Sequence, residues 1–225
     1  MKYMGSKNRH SRHLLPFMTS VNRTCFVEPF VGGANILDKI SGPRIGADVD
    51  EDLICLWAAV SQGWLPPETF SEEEYAAIKT APTSPLKGYA AFALSYGGKK
   101  FGGWCRDGAG VRNYVQEAYR NAVKQFPRLF GVEFIQSSFT DLAIPGGAVV
   151  YCDPPYKNTT KYSSKFDHAI FWDWVRDLSK THKVYTSEYD APDDFISVWA
   201  KPTTSSLTQD TGGKVAVEQL WVKRA

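Results

Sequence analysis

Val27-Glu28-Pro29-Phe30-Val31-Gly32-Gly33-Ala34-Asn35-Ile36-Leu37 reads as a strand that runs into a glycine turn, with the turn opening a helix. Glycine has no side chain to hold the main chain away from a ligand, so such a turn brings backbone amides close to one. The turn alone is a weak sign. A nicotinamide enzyme more typically carries G-x-G-x-x-G at this place, and this chain does not.

Working outward, short β-branched or aromatic runs recur at Cys25-Phe26-Val27, Arg44-Ile45-Gly46, Glu133-Phe134-Ile135, Ala148-Val149-Val150-Tyr151, Lys183-Val184-Tyr185-Thr186 and Val217 to Val222. Helix-like stretches lie between most of them. This alternation predicts an α/β domain with a mainly parallel sheet, in which ligands sit beyond the carboxyl ends of the strands. Ile45-Gly46-Ala47-Asp48 ends the second strand in an acid. Asp48 there either accepts from ribose hydroxyls or caps the next helix, a role for which Asp50 competes.

The chain has 225 residues, 43% hydrophobic and 14% aromatic, enough for one such domain with a modest insertion and too apolar for disorder. The opening residues lack the apolar core of a signal peptide, and no stretch approaches the roughly 20 apolar residues of a membrane span. A soluble, intracellular protein with no membrane partner is expected. Cys25, Cys55, Cys105 and Cys152 form no C-x-x-C pair and have no nearby His, so neither a disulfide framework nor a zinc site is indicated, and no metal is expected.

A net charge of +2 says little about partners, but its distribution says more. The spacing of strands breaks once, between the second and third, over about Trp57 to Gly131. Residues 57–131 are therefore read as an insertion, with 1–56 and 132–225 forming the catalytic domain. From Leu86 to Arg128 the chain carries Lys87, Lys99, Lys100, Arg106, Arg112, Arg120, Lys124 and Arg128 against Asp107 and Glu117, an excess of six positive charges. Tyr96-Gly97-Gly98-Lys99-Lys100-Phe101-Gly102-Gly103-Trp104-Cys105-Arg106 mixes glycines, cations and aromatics, as a mobile loop meeting phosphates and bases would, or as a solvated glycine loop would. Pro66-Pro67 and Ala81-Pro82-Thr83-Ser84-Pro85 read as hinges between small helices.

The strongest chemical signal is Val149-Val150-Tyr151-Cys152-Asp153-Pro154-Pro155-Tyr156, an apolar strand ending in an acid, two prolines and an aromatic. The prolines fix the backbone and withhold amide donors, which leaves neighbouring carbonyls free to accept. An amino group that is to be methylated needs two acceptors for its two hydrogens, so that its lone pair faces an electrophile. Asp153 offers a carboxylate oxygen, Pro154 a carbonyl and Tyr156 a ring for a base to stack on. A strand followed by a Pro-Pro turn with a capping Asp is the plain structural alternative.

Taken in order, these motifs resemble the Dam-type adenine DNA methyltransferases, the group in which the cofactor motif precedes the recognition region and the catalytic motif. The likeness spans nearly the whole chain: Tyr3-Met4-Gly5-Ser6-Lys7, Glu28 to Gly33, Ala47-Asp48, Ser137-Ser138-Phe139-Thr140-Asp141, Asp153-Pro154-Pro155-Tyr156, Ser187-Glu188-Tyr189, Ala191-Pro192, Asp194-Phe195 and Glu218-Gln219-Leu220. One departure is Ala34, where many relatives have a further glycine. The resemblance implies a Rossmann-like S-adenosylmethionine-dependent methyltransferase sheet with an inserted, mainly helical DNA-recognition region.

Carried over residue by residue, the resemblance places Tyr3 and Lys7 near the cofactor from an N-terminal helix. It lines the methionine part with the backbone of Phe30, Gly32 and Gly33, and gives Asp48 the ribose. Ser138 and Phe139 stand by the cofactor's adenine, and Asp153 by its sulfonium. Asp153, Pro154, Pro155 and Tyr156 receive the target base, with Tyr162 and Phe166 either closing the pocket or serving as core. Lys99, Lys100, Arg106 and Arg112 are the candidate contacts to double-stranded DNA. The implied protein is a cytoplasmic, bacterial or phage-encoded enzyme acting as a monomer. It methylates N6 of an adenine rotated out of the stack, since the amino group is otherwise held in a base pair. Orientation and aimed acceptors carry such a reaction, and His10, His13, His168 and His182 are read as surface or packing residues. The alternatives are a cytosine N4 or RNA acceptor, or a DNA-binding module that keeps the scaffold without activity.

Overall fold

The computed structural model describes residues 1–157, 166–204 and 215–224. Their strands are β1 (Phe26–Glu28), β2 (Arg44–Asp48), β3 (Glu133–Gln136), β4 (Val149–Cys152), β5 (Lys183–Glu188), β6 (Phe195–Thr204) and β7 (Val215–Lys223). The helices are α1 (Ser11–Thr19), α2 (Glu51–Val60), α3 (Glu72–Ile78), α4 (Pro85–Ala93), α5 (Tyr114–Gln125) and α6 (His168–Leu178). The strands form a mixed sheet in the order β3-β2-β1-β4-β5-β7-β6. Its first five strands follow the 3-2-1-4-5 order of the doubly wound, Rossmann-like class. Among the described residues no helix is long and apolar enough to cross a membrane.

The chain divides into two compact units, one of Met1–Arg12 with Val31–Leu142 and the other of His13–Phe30 with Ala143–Ala225. In the first, β2 and β3 run parallel, with Ile45 beside Glu133 and Asp48 beside Gln136. Helix α2 follows β2 because Asp50 caps it, its side chain accepting from the Leu53 amide at 3.0 Å. Leu53, Leu56, Trp57 and Val60 recur at helical spacing and are buried. The Trp57 ring meets Phe126 edge-on at 5.5 Å and stacks on Phe134 at 6.0 Å.

Residues 57–131 hold the end of α2, which runs across the expected start of the insertion, and then α3, α4 and α5. Ser71 and Glu74 form a capping box at α3, and Ser84 with Pro85 at the first position starts α4. The glycine-rich loop after α4 is cross-braced. The Tyr96 amide donates to the Gly103 carbonyl at 2.8 Å, Phe101 to Ala91 at 2.8 Å, Cys105 to Leu94 at 3.2 Å, and Met4 to Gly98 at 3.1 Å.

In the second unit β1, β4 and β5 run parallel, with Phe26 beside Val149 and Val149 beside Lys183. Strand β7 is antiparallel to β5 and to β6. Every residue of β4 is buried, as expected of a strand covered on both faces. Phe171, Trp172 and Val175 of α6 are buried at helical spacing.

Two sequence expectations change, and one strand is added. No α-helix follows the glycine turn: residues after Gly33 form turns and one 3-10 turn at Leu37–Lys39. The reason is visible at Ala34, whose φ of 52° lies in the left-handed region and interrupts helical geometry. Tyr3 and Lys7 also do not stand on a helix of more than one turn. A turn at Met4-Gly5 and a 3-10 turn at Lys7–Arg9, capped by Ser6, precede α1. Finally, β6 extends the sheet beyond β7, a strand that the runs of apolar residues did not reveal.

Candidate active site

In the first unit the glycine turn is fixed from several sides. The Gly32 carbonyl accepts from the Trp57 indole at 2.9 Å, and the Gly33 and Ala34 carbonyls accept from the Gln125 side-chain amide at 2.9 and 3.2 Å. The Gly32 amide donates to Asp48 Oδ2 at 3.1 Å. The room that the glycines leave is taken by Tyr3. A Cβ on Gly32 would lie 2.8 Å from Tyr3 Cε1, and one on Gly33 would lie 2.8 Å from Tyr3 Cβ. Tyr3 itself packs on Phe92, ring centroids 5.2 Å apart. Lys7 is buried and its ammonium donates to the Gly5 carbonyl at 3.2 Å.

Asp48 closes β2 and is not the helix cap, since Asp50 fills that role. Its Oδ1 accepts from the Asp50 amide at 3.1 Å, and its carbonyl accepts from Ser137 at 3.1 Å. Burial pushes the Asp48 carboxyl up to about 6, against the pull of the amides of Asp50, Gly32 and Val49. Beyond the ends of β2 and β3 opens a pocket of about 360 Å³ lined by Val49, Gln136, Ser137, Ser138 and Asp141. The Val49 side chain is 69% exposed there, an apolar face at the pocket's edge. Ser138 Oγ accepts from the Thr140 amide at 3.3 Å and pairs with Thr140 Oγ1 at 2.9 Å, so it shapes the loop that carries the half-buried Phe139.

In the second unit Asp153-Pro154-Pro155-Tyr156 leaves the end of β4, and β5 and β7 frame it. The Glu188 carboxylate, 2% exposed, accepts from the amide of Lys157 at 3.2 Å and from that of Tyr189 at 2.8 Å. The Trp221 indole donates to the Glu188 carbonyl at 3.1 Å and the Gln219 side chain to the Tyr189 carbonyl at 2.9 Å. The Tyr156 ring is buried and meets Tyr189 edge-on at 4.7 Å. Burial, reinforced by Asp153, Glu218 and Glu188, drives the Tyr156 hydroxyl well above its usual range, so it stays protonated. Burial, with Asp153, Glu28 and Glu218, likewise raises the Tyr151 hydroxyl, against the pull of its pairing with Ser187 Oγ at 2.8 Å. Phe30 and Phe166 pack at 5.8 Å, and both meet Phe171, in an aromatic cluster that fits the core reading of Phe166. Tyr162 lies outside the described residues.

Of the cations singled out in the insertion, Lys100 and Arg106 have acidic partners outside the segment whose charges were counted, and Arg112 has one within it. Lys100 pairs with Asp50 and Asp52 at 2.8 and 2.9 Å, Arg106 with Glu72, and Arg112 with Glu117 at 2.8 Å while lying over the Tyr114 ring. Lys99 is exposed, as are Arg120 and Lys124 on α5 and Arg128 just after it. The predicted donor residues Tyr3, Lys7, Gly32, Gly33, Asp48, Ser138 and Phe139 thus share the first unit, and Phe30, Asp153 to Tyr156 and Phe166 share the second. Sequence reasoning gave no role to Glu188, although an acid closing an apolar strand is the same signal that marked Asp48 and Asp153. Gln125, buried at the end of α5, carries no such signal. Among the described residues no group of three His, Cys, Asp or Glu is arranged to hold a metal ion.

The sheet is of the doubly wound, Rossmann-like class, with acids and a proline pair at its strand ends. Residues 3–94 match the family model of the D12 class N6 adenine-specific DNA methyltransferases, in line with the Dam-type resemblance, and this puts the chain among the methyltransferases. Among solved structures, an rRNA methyltransferase, aviRa from Streptomyces viridochromogenes, is 11% identical with a TM-score of 0.47, over 99% of this chain and 86% of that one. A putative RNA methyltransferase from Pyrococcus horikoshii is 9% identical with a TM-score of 0.44, over 97% and 84%. Magnesium protoporphyrin IX methyltransferase from Synechocystis PCC 6803, with bound SAM, is 8% identical with a TM-score of 0.42, over 96% and 79%. No curated protein matches this chain in sequence.

Proposed function

We propose that this chain transfers the methyl group of S-adenosylmethionine to N6 of an adenine turned out of double-stranded DNA. The observation that carries the reading is Asp153-Pro154-Pro155-Tyr156 at the carboxyl end of the fully buried β4, backed by the family match over residues 3–94. S-adenosylmethionine supplies an electrophilic sulfonium methyl, whose carbon–sulfur bond breaks as the carbon–nitrogen bond forms.

The first unit fits a nucleoside. Its pocket, at about 360 Å³, falls in the range of small-ligand sites, which begins near roughly 300 Å³, and it joins hydroxyls to the exposed face of Val49. In this reading Asp48 accepts from the ribose hydroxyls, Ser138 and Phe139 border the adenine ring, and Tyr3, Lys7, Phe30, Gly32 and Gly33 serve the methionine part. Asp153 accepts one hydrogen of the target amino group and the Pro154 carbonyl the other, which frees the nitrogen lone pair for attack. The proton then leaves toward the Asp153 carboxylate, and the Tyr156 ring borders the base. Exposed cations of residues 57–131 meet phosphates of DNA in the cytoplasm, with the protein acting as a monomer.

Expression in a methylation-deficient bacterium, followed by base-resolution mapping of modified adenines, tests this, together with labelled donor and purified protein. The expected outcome is N6-methyladenine at one short sequence with wild type and none with Asp153→Ala. Label on cytosine or RNA instead would change the acceptor, and donor binding with no transfer at all would make the chain a binding module.

A further inference from the structure

Lys99 and Lys100 are neighbours in sequence with different surroundings. Lys99 is exposed, whereas the Lys100 ammonium lies 3.0 and 2.8 Å from the two Asp50 oxygens and 2.9 Å from Asp52 Oδ2. An ammonium has three hydrogens, and these contacts match them. A phosphate contact would need these charge-assisted bonds to be given up.

Asp50 has two tasks at the start of α2. Its Oδ1 accepts from the Leu53 amide at 3.0 Å, and its own amide donates to Asp48 Oδ1 at 3.1 Å. Asp48 Oδ2 in turn holds the Gly32 amide. A second route joins the same loop to the same turn. Gly98, with φ of 68°, leaves room for Tyr3: a Cβ there would stand 2.7 Å from the Tyr3 amide nitrogen. The Gly98 carbonyl accepts from Met4, and the Tyr3 ring lies against Gly32. The loop of residues 96–104 therefore connects to Asp48 through Lys100 and to Gly32 through Gly98, all within the first unit.

We propose that Lys100 is a positioning residue of the donor site, holding Asp50 and, through the Asp50 amide, the orientation in which the Asp48 carboxylate receives the donor's ribose. The inference rests on the proposed function in taking S-adenosylmethionine as the ligand of Asp48.

Calorimetry with S-adenosylmethionine from pH 5 to 8, on wild type, Lys100→Ala, Lys100→Gln and Lys100→Arg, tests it beside duplex binding across a salt series. Lys100→Ala and Lys100→Gln should bind the donor roughly tenfold more weakly, with Lys100→Arg restoring most of the affinity. Asp50 is the charged neighbour acting on Asp48, and loss of its counter-ion should move the pH at which donor affinity falls upward. A side chain that only supports the fold would not move that midpoint. The salt slope for DNA should stay at the wild-type value. Unchanged donor affinity and midpoint in both neutral variants overturn the inference. A salt slope lower by about one would then assign Lys100 to a phosphate instead. Should Lys100→Ala fail to fold, Lys100→Gln, which keeps two hydrogen-bond donors on an uncharged side chain one bond shorter, gives the same reading. A wild-type protein that does not bind the donor would instead remove the functional reading itself.

Discussion

The Tyr3 ring stands where a Cβ on Gly32 would be, with Tyr3 Cε1 2.8 Å from that position. Gly32 also has φ of 43°, where an L side chain costs about 1–2 kcal/mol. Gly32→Ala should therefore lower unfolding stability by at least that amount, and further because the ring must move. Tyr3→Ala combined with Gly32→Ala should recover the second part and not the first. Urea denaturation of the two single variants and the double variant gives the coupling, and strict additivity would mean that the ring is not seated on Gly32.

The Glu188 carboxylate ties the residue after the tetrapeptide to the end of β5, through the amides of Lys157 and Tyr189. Glu188→Gln keeps one acceptor oxygen and sets an amide NH2 against the second backbone donor. A buried donor left without its acceptor costs about 1–3 kcal/mol. The variant should lose stability of that order and lose turnover, with donor affinity falling less than turnover because Asp48 and the pocket beside Ser138 belong to the other unit. Steady-state kinetics with calorimetry checks this, and a loss confined to donor affinity would contradict it.

The parts of this protein that were legible in sequence are those decided by neighbours along the chain. Six strands announce themselves as β-branched and aromatic runs. Strand β6, Phe195-Ile196-Ser197-Val198-Trp199-Ala200-Lys201-Pro202-Thr203-Thr204, does not, because polar residues and a proline dilute it and its register shifts between Ser197 and Trp199. Such a strand is tolerated at the sheet's edge, where proline removes no needed hydrogen bond. The strand-end acids and the Asp50 cap were readable for the same local reason. Charge pairing was not: Glu72 meets Arg106 across 34 positions, and Asp50 meets Lys100 across 50. A window that counts charges sees the cations and misses partners brought in by the fold.

Asp48 offers a test by pH. Burial raises its carboxyl from 3.8 to about 6, so the folded protein holds this proton more tightly than the unfolded chain does. The contribution to stability is complete below about pH 4 and is lost as pH rises through about 6, up to roughly 3 kcal/mol in all. Asp48→Asn lacks this titration. The wild-type stability minus that of the variant should fall between pH 4 and 6 and stay level above 7, measured by urea unfolding at each pH. Donor affinity should move the other way, rising from pH 5 to 7 as the carboxylate ionises and accepts more strongly from ribose. A stability difference that is constant with pH would show that Asp48 titrates alike in both states.

The last prediction concerns which cations meet DNA. Arg106 with Glu72 and Arg112 with Glu117 are exposed pairs, only weakly held in water, so phosphates can displace the carboxylates. Arg120 and Lys124 stand one helical turn apart on α5, both exposed, and need no such exchange. Replacing both with Ala should weaken binding to every duplex alike and lower the salt slope by about two. Glu117→Ala provides the opposite perturbation, because it removes a negative charge from the same helix and releases the Arg112 guanidinium. Its non-specific DNA affinity should rise and its salt dependence steepen by about one. Fluorescence anisotropy on cognate and scrambled duplexes from 50 to 300 mM salt reads both variants. If neither slope moves, α5 faces away from the phosphates. Binding would then have to be sought around Lys99 in the braced loop, where Lys99→Ala should carry the lost slope instead.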